Sequence, residues 1–224
     1  MNNQALFDDL LVSAPNGGGL FAVRGGQAQH VDGLSSTGLA WRADALVRAL
    51  QPGDWVVYGP DEAMTSMAAA VHCADIHDVL WRDDGNGFWM VSTDHNEVVH
   101  VDADFRPVQR WAFPGELDSM HINCLARWGD EVVFSAFGAF SERRAYKGAS
   151  AGAGFVRALE GVEPLITGLS QPHSLKPWGA DLLLADSEKR SIALFDRQGR
   201  EKGARCSMAI RAGLRLVARR CLWA

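Results

Sequence analysis

Cysteine is scarce in this sequence, and the few copies stand apart. Cys73, Cys124, Cys206 and Cys221 are the four in 224 residues, and none forms a Cys-x-x-Cys pair. That spacing excludes a dense disulfide framework and a zinc-ribbon motif, and reduced thiols in a cytoplasmic protein are expected. Long apolar runs are missing: nothing approaches ~18 consecutive apolar residues, so no spanning helix is expected. The start, Met1-Asn2-Asn3-Gln4-Ala5-Leu6-Phe7, lacks the basic beginning and apolar core of a signal peptide. The phosphate-binding glycine patterns and Gly-x-Ser-x-Gly are also missing. Acidic residues outnumber basic ones, 27 to 22, for a formal net charge of −5. That balance argues against nucleic acid or an anionic membrane as partner and leaves a small molecule or another protein.

What the chain does have is a repeat. Ser36-Thr37-Gly38-Leu39-Ala40-Trp41 has the form of a polar cluster, a short apolar run and a Trp. Asp75-Ile76-His77-Asp78-Val79-Leu80-Trp81 has the same form. So do His121-Ile122-Asn123-Cys124-Leu125-Ala126-Arg127-Trp128 and Pro172-His173-Ser174-Leu175-Lys176-Pro177-Trp178. The Trp positions are separated by 40, 47 and 50 residues, the length of a four-stranded propeller blade. Within each unit the apolar residues alternate with period two, which reads as strand. The second halves also match: Phe88 to Asp94 leads to Val98 to Asp102, and Leu182 to Ser187 leads to Ile192 to Asp196. A more polar run follows each pair, as an outer edge requires.

These units predict an all-β fold, a β-propeller of about five visible four-stranded blades in a single domain over 1–224. An N-terminal half-blade occupies 9–32, and blades start near 36, 75, 121 and 170. The tail, 208–224, either supplies a closing inner strand or is truncated. Asp61 to Ala70, rich in Ala and Met, is expected to be an inter-blade excursion with one or two helical turns. The four repeat Trp residues are expected between blades as core.

The polar cluster opening each unit would converge around the axis, at one mouth of the channel. It delivers Thr37, Asp75, His77, Asp78, His121, Asn123, His173 and Ser174. Imidazole, carboxylate and amide oxygen are competent metal ligands, and His77, His121 and His173 are the candidates for a divalent metal. The same groups serve as general acid or base. The competing reading is structural: polar groups on inner strands tie neighbouring blades together through backbone hydrogen bonds. No His-x-x-x-His pair strengthens the metal reading, since His72 and His77 are five apart, on opposite faces of a strand. A separate segment, Phe140 to Gly154, carries Arg143, Arg144, Tyr146 and Lys147 beside a Gly-rich run. It suggests an anion or sugar-phosphate clamp.

At His77-Asp78, His121 to Ala126 and Gly168-Leu169-Ser170-Gln171-Pro172-His173-Ser174 the chain resembles a bacterial family of β-propellers known as a conserved domain of unknown function. The resemblance spans about residues 9 to 205, with Cys124 where a Gly is usual and Leu175 where a Pro is usual. It implies a propeller and no reaction. The layout is more distantly similar to lactonase and strictosidine-synthase-like propellers, which implies a divalent metal on the axis. Two functions are therefore expected to compete. One is a non-enzymatic scaffold that binds a ligand or protein at a polar axial pocket. The other is a metal-dependent, lactonase-like hydrolase using His77, His121 and His173 with Asp75 or Asn123.

Overall fold

The computed structural model describes residues 10–42, 45–59, 64–68, 73–206 and 215–217. Among the described residues twenty strands form five antiparallel four-stranded sheets. In the first, β1 (Leu10–Ala14), β2 (Gly19–Arg24) and β3 (Gln27–Asp32) follow one another. In the second come β4 (Ser36–Arg42), β5 (Ala45–Leu50), β6 (Asp54–Tyr58) and β7 (Met64–Ala68). The third holds β8 (Ile76–Trp81), β9 (Phe88–Ser92), β10 (Glu97–Val101) and β11 (Pro107–Ala112). The fourth holds β12 (Cys124–Trp128), β13 (Glu131–Ala136), β14 (Gly154–Ala158) and β15 (Pro164–Leu169). The fifth holds β16 (Pro172–Trp178), β17 (Asp181–Asp186), β18 (Ser191–Phe195) and β19 (Glu201–Cys206). A last strand, β20 (Arg215–Val217), returns to the first sheet and pairs with β1 through Leu11↔Val217, Val12↔Leu216 and Ser13↔Arg215. The inner strands pack in sequence, β20 and its neighbour β1 on β4, β4 on β8, β8 on β12 and β12 on β16. This is a five-bladed β-propeller.

The burial gradient explains the strand order. β9 and β10 are buried at every position, whereas β11 is exposed at all but one. Blade 3 is sandwiched, so both faces of its middle strands are apolar: Phe88, Met90, Val99 and Val101 face Ala40, Val47 and Trp55 in one cluster. Trp89, Val91 and Val98 join Leu125, Phe134 and Phe155 in the next. β17 instead alternates, with Leu182, Leu184 and Asp186 buried and the residues between them half-buried. Blade 4 covers one face of it, and among the described residues no comparable packing joins blade 5 to blade 1.

Two sequence expectations change here. Met64–Ala68 is a strand, the outer edge of blade 2, paired from Tyr58↔Met64 to Asp54↔Ala68. Ladder hydrogen bonds to β6 override the helical leaning of its Ala and Met residues. Trp128 is buried and Trp81 partly so, and their indole N–H groups donate to Ala180 O and Ala40 O across blade boundaries. Trp178, however, is 43% exposed. It stands at the end of β16, where no blade packs over it among the described residues. The other residues of 208–224, including Cys221, lie outside the described residues.

Polar side chains, Thr37 and Asp78 of the repeat's clusters among them, stitch neighbouring blades together. Ser13 Oγ donates to Thr37 O, Thr37 Oγ1 to Ile76 O, and Thr93 Oγ1 to Ile122 O. Asp78, fully buried, accepts from Val79 N at 2.8 Å and from Leu125 N of blade 4 at 2.7 Å. Arg48, also fully buried, grips Asp32 of blade 1 through both terminal nitrogens at 2.6 and 2.7 Å. Each bond satisfies a backbone or charged group that the blade junction would otherwise strand away from water. Removing the Asp78 carboxylate leaves buried N–H groups unpaired. Asp78→Ala is therefore expected to lower the unfolding free energy by roughly 2–4 kcal/mol in urea titrations. Asp104→Ala, at an exposed ion pair with Arg106, is expected to change it by less than about 0.5 kcal/mol.

Candidate functional site at the axial mouth

A cavity of about 430 Å³ opens where the five inner strands begin. It takes Asn16 from blade 1, Thr37 and Gln51 from blade 2, and Asp75 and His77 from the entry to blade 3. Asp118, His121 and Asn123 come from the entry to blade 4, and Gln171, His173 and Ser174 from blade 5. The long β13–β14 connection adds Phe137, Arg144, Tyr146 and Lys147. Seven of the eight axial candidates thus meet at one mouth. Asp78 does not: it points into the blade 3–4 junction, because a fully buried carboxylate there finds two backbone donors.

The organising group is Asp118, which repeat comparison did not find because it precedes the repeat's polar cluster. Its carboxylate is buried, with 1% of the side chain exposed. Oδ1 accepts from His121 Nδ1 at 2.8 Å. Oδ2 accepts from Arg144 Nε at 2.6 Å and from the Tyr146 hydroxyl at 2.9 Å. The loop that carries it is fixed by Asn96, whose Nδ2 donates to Glu116 O and Ser119 Oγ and whose Oδ1 accepts from Met120 N. Burial pushes the Asp118 carboxyl upward, but His121, Arg144 and Tyr146 more than offset it and hold it below the usual 3.8. Burial, followed by the bond to that carboxylate, raises the Tyr146 phenol.

An ionised Asp118 fixes the proton of neutral His121 on Nδ1 and leaves the lone pair on Nε2. Nε2 has no partner among the described residues, and the ring lines the cavity. Phe137 and Tyr146 hold that ring at 4.3 and 4.8 Å between centroids, and His77 meets it edge-on at 4.9 Å. His77 Nδ1 lies 3.1 Å from Asp75 O, and Gln51 Nε2 donates to Asp75 Oδ1 at 2.9 Å. Burial first, and then His121, lowers the His77 pKa below 6.5. Asn123 is spent inside the protein: Nδ2 donates to His121 O and Oδ1 accepts from Ser135 Oγ. His173 packs edge-on to Phe137 at 5.1 Å. The arrangement is an oriented imidazole beside a neutral one, able to accept or donate a proton, with no hydroxyl or thiol bonded to Nε2 as a nucleophile would be.

The structure separates the four residues of the expected anion clamp. Arg144, Tyr146 and Lys147 line the cavity, whereas Arg143 does not and donates its backbone N–H to Glu116 Oε2. The loop amides are not a phosphate cradle, because turns consume them: Ala145 N binds Glu142 O, Lys147 N Arg144 O, Ala149 N Tyr146 O and Ala153 N Ser150 O. The metal expectation fails a donor test: among the described residues no group of three or more His, Cys, Asp or Glu is disposed to hold an ion. His77, His121 and His173 share a cavity, but Phe137, not a ligand field, lies against both His121 and His173.

Backbone strain concentrates here. Ten described non-glycine residues have φ between 49° and 64°. Seven of them line this cavity: Asn16, Asp75, Asp118, His121, Arg144, Gln171 and Ser174. Left-handed backbone costs such residues on the order of 1 kcal/mol, and clusters of it mark sites held in place by their surroundings.

Comparison with known proteins adds the fold. No protein-family model and no curated protein matches the chain. Among solved structures, a streptogramin B lyase aligns over 94% of this chain and 63% of its own, at 8% identity and a TM-score of 0.58. A protein of unknown function from Bacteroides caccae aligns over 88% and 72%, at 12% identity and 0.62. The WD40 β-propeller domain of Doa1 aligns over 92% and 82%, at 13% identity and 0.53. The neighbours are propellers. At these identities the likeness carries architecture alone, and the chain spans under two thirds of the lyase's length. Among the described residues no helix is long and apolar enough to cross a membrane.

His77 and Asp118 both contribute to the acid response, Asp118 alongside Asp32, Asp84 and Asp196, whose carboxyls are also depressed. Unfolded His77 takes up a proton as pH falls through 6.5 while the folded ring stays neutral, so stability declines with falling pH from there. Asp118, depressed when folded, contributes stability that is complete above 3.8 and lost as pH falls through its lower folded value. Urea titrations at a series of pH values should show both falls. His77→Asn should remove the upper one and leave the lower.

Proposed function

We propose that this propeller binds a small polar molecule at its axial mouth, with His121, held by Asp118, as the central contact. The single observation that carries the reading is the Asp118 constellation. A fully buried carboxylate takes bonds from three side chains, and all three partners, His121, Arg144 and Tyr146, line the open cavity. A carboxylate serving only the fold needs no such aim. The strained residues around the same cavity support it, since positions chosen for stability alone would be glycine. The cavity's volume is in the range of small-molecule sites.

A second reading has its own observation. The Asp118–His121 pair has the form of an orienting carboxylate and a base, so the bound molecule is a candidate substrate for acid–base chemistry. Among the described residues the metal-dependent form of that reading has no converging donor set.

Screening small polar metabolites by thermal shift against the wild type and Asp118→Asn tests the proposal. Compounds that stabilise the wild type and not the variant, while the variant remains folded, are the expected result. A ligand that stabilises both equally, or no ligand at all, overturns it. Ser174→Gly, which relaxes a left-handed residue on the cavity wall, is expected to raise the unfolding free energy by roughly 1 kcal/mol and to weaken any ligand found.

A further inference from the structure

A second cavity, about 360 Å³, lies on the flank of the blade 3–4 junction, away from the axial histidines. Phe113, Met120, Phe140, Phe155 and Pro164 make it almost wholly apolar, and one cation, Arg157, lines it. Arg157 projects from β14, half-buried. Its guanidinium carbon lies 4.7 Å from the Phe113 ring centroid and 5.1 Å from that of Phe134.

Among the described residues no carboxylate pairs with this charge. Arg48 pairs with Asp32, Arg110 with Glu97, Arg127 with Asp83 and Arg144 with Asp118. Among the described residues Arg157 has no ion pair, and its buried Nε has no hydrogen-bond partner. Glu160, three residues further along the chain, accepts from Trp111 Nε1 at 2.7 Å. Burial alone lowers the Arg157 pKa, with no neighbouring charge contributing. A cation partly withdrawn from water without an anion is unfavourable, and two aromatic faces offset only part of that cost. The rest is recovered if an anion enters, and the walls require that anion to carry an apolar body.

We infer that this flank cavity is a binding site for an organic monocarboxylate, its aliphatic or aromatic body among Phe113, Phe140 and Phe155 and its carboxylate on Arg157. A guanidinium presents a planar fork that matches a carboxylate. The Gly115 turn and the Phe140 segment, joined by the Glu116 N to Ser141 O bond at 2.8 Å, form the rim.

Titration of the full chain with octanoate and with its neutral analogue 1-octanol tests this, observed at the Met120 methyl by NMR. Octanoate is expected to shift that signal saturably and 1-octanol to bind at least about tenfold more weakly. In Arg157→Gln the two should bind alike, and Arg157→Lys should keep part of the preference. Absence of a saturable octanoate shift in folded wild type overturns the inference. So does equal binding of octanoate and 1-octanol to the wild type, or an unchanged preference in Arg157→Gln. Thermal unfolding of each variant establishes that it is folded, and if Arg157→Gln is not, the wild-type comparison decides alone.

Discussion

A four-stranded sheet with two apolar faces cannot bury either by itself. Every blade here depends on the neighbours that cover it, and the molecule's order follows from that dependence. Blade 3, covered on both sides, is buried throughout β9 and β10; blade 5, covered on one side among the described residues, alternates in β17. The junctions also strand polar backbone groups. Asp78, Thr37, Thr93 and Arg48 answer them from inside the interface. These ties are why a polar residue recurs beside an apolar run in each repeat. They sort the repeat's polar set: Asp78 closes a junction, Thr37 closes one and lines the axial mouth as well, and the others line the mouth.

The mouth owes its chemistry to a different kind of element. Inner strands bring His77, Asn123 and His173 near the axis, but the loops between strands organise what they do. The 113–123 connection supplies Asp118 and His121, and the β13–β14 connection returns Arg144 and Tyr146 to the same carboxylate. Those loops are rigid where it matters, since Asn96 secures one and turn amides fill the other. A rigid scaffold carrying loops with left-handed residues is the usual way a fold stores a functional geometry. The flank cavity is the other consequence of the same loops, whose far sides enclose Arg157 in an apolar wall.

The all-β class, the blade length and the place of the axial residues were legible because period-two alternation and recurring Trp positions are local signals. Met64–Ala68 was not, because an edge strand takes its conformation from the partner it pairs with and its composition leans elsewhere. Asp118 was missed for a related reason. Its partners Arg144 and Tyr146 lie 26 and 28 residues further along the chain, and only the Asp-x-x-His spacing to His121 hinted at the pairing. Arg143 and Arg144 look alike in sequence, yet only Arg144 reaches the cavity.

By itself, then, the sequence determined the repeat: which segments become strands, which faces are apolar, and that polar residues gather at strand starts. Those follow from periodicity, which any residue shares with its near neighbours. Tertiary structure decided which polar groups are consumed at blade junctions and which remain at the mouth. It also decided that Asp118 orients His121, and that Arg157 faces an apolar cavity with no ion pair among the described residues. These outcomes depend on burial and on hydrogen-bond partners brought together across blades, and a charge buried at a junction reads in sequence like one at an open site.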